Sequence, residues 1–208
     1  CATWSAAYLI PESEMEFRIR SRMPLTHPRR RTPEFTGRRA WVKPYVMQST
    51  ILCASEARIA ELVSAYLAAE YRWELDGNWL NLHIGETAPD VAGRFADAAQ
   101  FGLLSGWDPW SMQRPEAVNR DADQALQRDL LVSGRIFRPA FSSAVNRSWR
   151  EPSWLVVDMP VAEFDALSRR YGQLATLCWS AREPVRLRID ALAPFALEDH
   201  PACDWLRG

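Results

Sequence analysis

The chain has 208 residues, of which 48% are hydrophobic and 25% charged, which is ordinary usage for one globular domain. No apolar run approaches the roughly 18 residues of a membrane-spanning helix, and the N-terminus lacks the pattern of a secretion signal. The four cysteines (Cys1, Cys53, Cys178 and Cys203) form no Cys-x-x-Cys pair and have no histidine at zinc-ligand spacing. We therefore expect a cytoplasmic protein with neither a disulfide framework nor a structural zinc. Because Cys1 stands where an initiator methionine would, we expect a fragment or a mis-assigned start.

The composition of residues 1–46 indicates an arginine-rich, proline-interrupted extension. Residues 1–44 carry a charge balance of +5 and residues 45–208 one of −6. The stretch 17–43 shows neither helical nor strand periodicity. Its arginines can neutralise phosphates, which makes nucleic acid a candidate partner; the alternative is a solvated extension without a partner. The nucleic-acid candidates are Arg29, Arg30, Arg31, Arg38 and Arg39. Met47 opens a domain-like stretch, so we expect a globular domain over 47–190 and a C-terminal tail over 191–208.

The first half of this domain shows clear element signals. Ser55 is a good N-cap for a helix that runs to about Tyr71. On either side of Asp76-Gly77-Asn78 lies a segment in which apolar and polar residues alternate. These two segments predict a β-hairpin over 71–84. A short helix follows over 89–100 and a buried strand over 101–106. Pro115 suits the first position of a helix that continues to about Val132, where Gly134 can end it in a left-handed conformation.

The second half alternates strands with one further helix. We predict strands over 135–141 and 153–159, a helix from Pro160 to the corner at 171–173, and strands over 174–179 and 185–189. This order mixes helical crossovers with hairpins. It predicts an α/β or α+β fold, a single layered domain in which helices pack on one mixed β-sheet.

Polar and aromatic residues gather in the turn after the strand over 101–106. Trp107, Asp108, Trp110 and Ser111 lie there, and Asn119 follows on the next helix. The end of a strand that faces a helix N-terminus is a common ligand position in folds of sheets and helices. Tryptophans offer stacking surfaces, and the polar groups offer hydrogen bonds or a base. The alternative is that the tryptophans only anchor a turn.

On the helix after this turn, a buried arc is predicted, with Asn119 and Asp123 at its polar edge. The arc consists of Val118, Ala122, Ala125, Leu126 and Leu130. Structural explanations remain open, since helix N-termini favour acids and asparagine often bonds locally. The sequence contains no glycine-rich phosphate loop, HExxH motif or Gly-x-Ser-x-Gly elbow. We therefore assign no catalytic residue, no cofactor and no metal.

Four segments together resemble the bacterial family of uncharacterised proteins called domain of unknown function 3293, over roughly residues 65–189. They are GWDPWS, the stretch from Asn119 to Asp123, EPSWLVVDMP and RRYGQLATLCW. In that family the turn is usually Trp-Asn-Pro-x-Ser, the helix carries two asparagines, and an aromatic-Gly-Gln-Asn corner follows a Glu-Pro-Ser strand start. Asp108, Asp123 and Leu174 depart from this pattern. The resemblance implies a shared polar site and no known activity.

Glu151 and Gln173 complete the candidate site, unless they serve only as caps and loop contacts. If all the groups converge, Asp108, Asp123 and Glu151 provide carboxylates for acid–base chemistry or for a magnesium ion completed by substrate phosphate. The leading hypothesis is a cleft for a polar small molecule or nucleotide-like ligand, with enzymatic activity left open. The alternatives are a nucleic-acid or protein interaction module that uses the N-terminal arm, and a structural domain without a cleft.

Overall fold

A computed structural model describes residues 55–207. In chain order the elements are α1 (Glu56–Leu67), β1 (Glu70–Leu75), β2 (Asn78–Leu82), α2 (Pro89–Arg94), β3 (Gln100–Leu104), α3 (Glu116–Ser133), β4 (Phe137–Ser143), β5 (Arg150–Val157), α4 (Val161–Arg170), β6 (Ala175–Ser180), β7 (Arg186–Leu192) and β8 (Cys203–Arg207). Single 3-10 turns lie at Pro109–Ser111 and Phe195–Leu197.

The eight strands form one sheet in the order β2-β1-β4-β5-β3-β6-β7-β8. Neighbouring strands are antiparallel except β7 and β8, which are parallel. The prediction of a mixed sheet with helices packed on it is confirmed, and the fold is α+β. In the described part of the chain, no helix combines the length and apolarity that a membrane crossing requires.

Local sequence signals explain most element boundaries. The Ser55 hydroxyl accepts a hydrogen bond from the backbone N–H of Arg58 at 3.2 Å and caps α1. Helix α1 ends four residues before the predicted Tyr71, because Tyr71 pairs with Leu82 in β2 and with Ser142 in β4. Gly134 ends α3 with φ 67°, the left-handed conformation expected of a glycine after a helix.

The buried face of α3 is rotated from the predicted one. Leu126 and Leu130 are fully buried as expected, but Val118 is 45% exposed and Asn119 only 2% exposed. Our assignment of Val118 to the buried arc and of Asn119 to its polar edge was therefore wrong. The physical reason is that the preceding turn supplies polar partners for an inward-facing amide, so the helix turns Asn119 towards the protein interior.

Helices cover both faces of the sheet. On one face, α1 and α2 contribute Ile59, Val63 and Val91 to a core with Trp73 and Leu155. On the other face, α3 and α4 pack against β3, β5 and β6 through residues that include Leu126, Leu130 and Phe164. Because Gly102 has no side chain, the Phe164 ring can pack directly against the strand, and a Cβ at this position would clash with the ring. The candidate site lies at the end of β3, between these two layers of helices.

The predicted tail, residues 191–208, contains the end of β7 and the whole of β8. Two ion pairs fasten this edge: Arg207 Nε lies 2.9 Å from Asp190 Oδ1, and Arg186 Nη2 lies 2.6 Å from Asp204 Oδ1. The sequence CDWLR shows no clear strand alternation, so periodicity alone missed β8. The predicted N-terminal extension, including its five candidate arginines, lies outside the described residues.

Candidate functional site

The turn after β3 is strained and tied to the sheet. Asp108, Trp110 and Ser111 all adopt left-handed backbone conformations, with φ of 39°, 59° and 55°. Residues other than glycine rarely do so, and such conformations persist only where surrounding contacts impose them. The Ser105 hydroxyl provides one such contact, because it donates to the Pro152 carbonyl at 2.7 Å and accepts from the Trp107 N–H at 2.9 Å.

Asn119 holds the turn from the side of α3. Its Oδ1 accepts from the backbone N–H of Asp108 at 3.0 Å, and its Nδ2 donates to Asp108 Oδ1 at 2.7 Å. The Arg114 guanidinium donates to the same Asn119 Oδ1 through Nε and Nη2, at 3.1 and 2.9 Å. The backbone N–H of Arg114 also donates to Asp108 Oδ1 at 2.9 Å. The amide therefore fixes both the backbone and the carboxylate of Asp108.

The corner after α4 holds the turn from a third side. The Trp110 N–H donates to the Gly172 carbonyl at 2.7 Å, and Gln173 Nε2 donates to the Trp107 carbonyl at 3.0 Å. Gly172 has φ 66°, and a Cβ there would lie 2.8 Å from Cβ of Pro109. Glycine at this corner thus permits both the left-handed turn and the close contact.

A cavity of about 290 Å³ opens beside this turn, between α1 and the sheet. Its polar lining comes from Arg58, Tyr66, Tyr71, Ser105, Asp108, Ser111, Gln113, Ser142, Glu151, Ser153, Gln173 and Thr176. Leucines and Trp149 supply apolar lining. A larger depression of about 800 Å³ lies beside β2 and α2 and contains none of the predicted site residues. The smaller cavity is therefore the one that predicted site residues line.

Glu151 is the main acidic group of this cavity. It lies on β5 opposite Ser142 of β4, so both side chains share the face of the sheet that α1 covers. Burial, reinforced by the nearby charge of Asp108, raises the pKa of Glu151 to about 7. Among residues 55–207, no Lys, Arg or His lies within salt-bridge distance of its carboxylate.

Two tyrosines line the wall of the cavity near α1. The Tyr66 hydroxyl forms a hydrogen bond with the Ser111 hydroxyl, and burial raises the pKa of Tyr66 to about 12. The Tyr71 hydroxyl donates to the Tyr66 carbonyl at 2.9 Å, and burial raises the pKa of Tyr71 further. Both phenols therefore remain protonated near neutral pH and act as neutral hydrogen-bonding groups.

The turn lies within a segment of the chain that matches a known protein family. Residues 104–176 match the family model described as "Protein of unknown function (DUF3293)". Over these residues the chain is similar to that family. No curated protein and no solved structure matched the chain. The DUF3293 match is narrower than the range of 65–189 inferred from the sequence. It contains all seven ligand-binding candidates and excludes α1, which carries Tyr66.

Within the DUF3293 segment, four of the seven candidates line the cavity: Asp108, Ser111, Glu151 and Gln173. The other three do not. Asn119 lies behind the turn as its anchor, and Trp107 contributes its carbonyl to Gln173 while its indole Nε1 is buried without a hydrogen-bond partner in the described chain. Asp123 accepts a hydrogen bond from Trp154 Nε1 at 3.0 Å, and burial raises the pKa of this carboxyl.

The hypothesis that Asp108, Asp123 and Glu151 converge as a carboxylate triad is therefore wrong. Asp123 is separated from the cavity because α3 turns it towards the indole of Trp154. Within residues 55–207, no group of three or more His, Cys, Asp or Glu is placed to hold a metal ion. What the fold brings together is a pair of carboxyls, Asp108 and Glu151, among hydroxyl and amide groups.

Several groups that shape this site were not predicted from the sequence. Tyr66 lies within the predicted first helix but was not named as a site residue, and only its contact with Ser111 shows that the hydroxyl faces the cavity. Ser142 and Arg114 carry no local signal, because their partners are distant along the chain or depend on the turn. The weak signals were that Tyr66 ends in a hydroxyl and that Arg114 precedes the helix of Asn119.

Proposed function

We propose that the cavity beside the Trp107–Ser111 turn binds a polar small molecule that presents hydrogen-bond donors to Glu151 and Asp108. One observation carries this proposal: the carboxyl of Glu151 is half-buried in the cavity wall with no basic partner among the described residues. Taking a carboxylate out of water without a partner is costly. A protonated amine, an amidine or the N–H edge of a heterocycle would supply that partner.

The remaining lining favours a ligand with several polar atoms. Gln173 is 8% exposed and commits its Nε2 to the Trp107 carbonyl, so its Oε1 is the atom available to a ligand donor. Ser142 is also 8% exposed, and its hydroxyl makes no hydrogen bond in the described chain. Buried polar groups normally find partners, so these atoms together favour a hydrogen-bonding ligand.

A nucleotide-like ligand is the more specific form of this proposal. Its base would direct ring and exocyclic N–H groups to Glu151, and its phosphate would lie towards Arg58 on the cavity wall. The Arg58 guanidinium is exposed and, among residues 55–207, its one ion pair is with Glu61 on its own helix at 3.1 Å, which leaves it accessible to a phosphate from the described part of the chain. Because its pKa is near 7, Glu151 also suits general acid–base catalysis on a bound ligand.

We also propose the cytoplasm as the location of this binding activity. Cys178 and Cys203 are buried free thiols on opposite faces of the sheet, which is compatible with a reducing compartment.

A thermal-shift screen tests the proposal. The panel contains amines, amidines, nucleosides and nucleotides, because a ligand that binds the native state raises its melting temperature. We expect at least one class to stabilise the protein and expect Glu151→Gln to lose that response. Glu183→Gln is the matched control, since Glu183 is exposed and outside the cavity lining. A panel without any stabilising compound, or hits that Glu151→Gln leaves unchanged, would contradict the proposal.

A further inference from the structure

The face of the sheet opposite the cavity carries a cluster of aromatic and basic residues. Strand pairing puts Arg72 opposite Phe141, and Trp79 opposite Glu74, two residues further along β1. Since side chains alternate between faces along a strand, Arg72, Trp79 and Phe141 share one face while Tyr71 and Trp73 enter the core on the other. With Arg147 and Arg150 they form what we call the aromatic–arginine surface.

The two aromatic rings pack against one another at a tilt of 59°, and Trp79 is accessible. The ring centroids of Trp79 and Phe141 are 4.9 Å apart, and the Arg150 guanidinium carbon lies 3.8 Å from the centroid of the Phe141 ring. Trp79 is 43% exposed on β2, which is an edge strand. This arrangement leaves part of an indole ring open to solvent, where a flat ligand can stack on it.

The three guanidinium groups crowd one another. Burial, followed by the charges of Arg147 and Arg72, lowers the pKa of Arg150. Arg72 Nε is buried without a hydrogen-bond partner in the described chain, and Arg72 Nη2 reaches Glu70 at a long 3.4 Å. Glu74, the second acid of β1 on this side, accepts a hydrogen bond from the Gly77 N–H at 2.6 Å. The cluster therefore has more positive charge than its own carboxylates neutralise.

We propose that the aromatic–arginine surface binds single-stranded nucleic acid. Its phosphates contact Arg72, Arg147 and Arg150, and an unpaired base stacks on Trp79. Exposed aromatic rings beside basic side chains suit unpaired bases, whereas a duplex hides its base faces. An acidic peptide would use the arginines but would gain nothing from a flat stacking surface. This proposal is independent of the cavity, which lies on the other face of the sheet.

Fluorescence anisotropy with a fluorescein-labelled 12-nucleotide oligouridylate and the full chain tests the proposal. We expect affinity to fall as salt rises. The substitution Trp79→Ala should weaken binding about 10-fold, the usual scale for loss of one stacking contact, and Trp79→Phe should restore much of it. The double variant R147E/R150E should weaken binding at least about 10-fold and flatten the salt dependence. Arg120→Glu, an exposed charge reversal on α3, is the control and should change affinity less than about 2-fold.

Three outcomes overturn the proposal. The first is absence of oligouridylate binding at low salt. The second is loss of binding in R29A/R30A/R31A with no effect of the surface variants, which would assign the contact to the N-terminal extension. The third is a Trp79→Ala variant that binds like the original chain, which would reduce the contact to charge alone. Melting curves of each variant confirm that a weakened protein is still folded.

Discussion

At the scale of single residues, Asn119 shows how a buried amide can organise a turn. Its Oδ1 accepts three hydrogen bonds and its Nδ2 donates one, all to Asp108 or Arg114. The sequence suggested Asn119 as a ligand-binding residue, whereas in the structure it binds the turn at Asp108. A helical projection shows which residues share a face, and it does not show that a neighbouring turn will supply polar partners for a buried amide.

Asn119→Ala should destabilise the fold by about 2 to 3 kcal/mol, because it leaves several groups of Asp108 and Arg114 without their partner. Val118→Ala is the control on the same helix. Val118 is 45% exposed, so its truncation should cost no more than about 0.5 kcal/mol. Urea denaturation measures both values. Equal stabilities of the two variants would show that the Asn119 network contributes nothing.

Glu151 gives the fold a specific dependence on pH. Its pKa is about 7 in the folded state, above the ordinary value of about 4.5, so between these values the folded state holds a proton that the unfolded state has lost. Stability must then fall as pH rises through this window and level off above it. Relative to Glu151→Gln, the wild type should lose up to about 3 kcal/mol between pH 4.5 and 7.5. A difference between the two proteins that stays constant over that range would contradict the assignment.

At the scale of elements, the sequence predicts seven of the eight strands and all four helices that the structure describes between residues 55 and 207, because each has a strong local signal. Ser55, the Asp76-Gly77 turn and Gly134 act through neighbouring residues. Contacts between distant elements are harder to predict. The bond between Tyr66 and Ser111 spans 45 residues, and that between Gln173 and Trp107 spans 66. The cavity depends on such contacts, so only its contribution from the DUF3293 segment was predicted.

The packing of the turn against the α4 corner can be tested with two glycines. Gly172 and Gly134 have nearly equal φ values of 66° and 67°, but a Cβ meets Pro109 at 2.8 Å only at Gly172, and nothing within 4 Å at Gly134. Gly134→Ala should cost about 1 kcal/mol, and Gly172→Ala should cost at least about 1 kcal/mol more. Thermal and urea melts measure the difference. Equal losses of unfolding free energy in the two variants would show that Pro109 does not pack tightly against Gly172.

At the scale of the whole molecule, the C-terminal edge of the sheet is part of the folded unit. Strand β8 covers β7 and places Arg207 beside Asp190, which is only 5% exposed. Buried acids are strongly destabilising when their partner is removed. The N-terminal boundary at Met47 rests on sequence pattern alone and stays a prediction.

Two truncations test these boundaries. A chain that starts at Met47 should melt cooperatively and with nearly the melting temperature of the full chain, because residues 1–46 offer little periodic apolar surface. A chain that ends at His200 should lose several kcal/mol, since it removes β8 and leaves Asp190 without Arg207. Circular dichroism melts compare them. A cooperative, unshifted melt of the C-terminal truncation would make β8 dispensable.

We propose above that the cavity beside the strained turn is a ligand site. The most direct test of this proposal is amide chemical-shift mapping by NMR as the best compound from the thermal screen is added. The largest shifts should cluster at Ser111, Ser142, Glu151 and Gln173, and Glu151→Gln should abolish them at the same ligand concentration. Shifts that cluster instead around Trp79 and β2, or that persist unchanged in Glu151→Gln, would show that the cavity is not the ligand site.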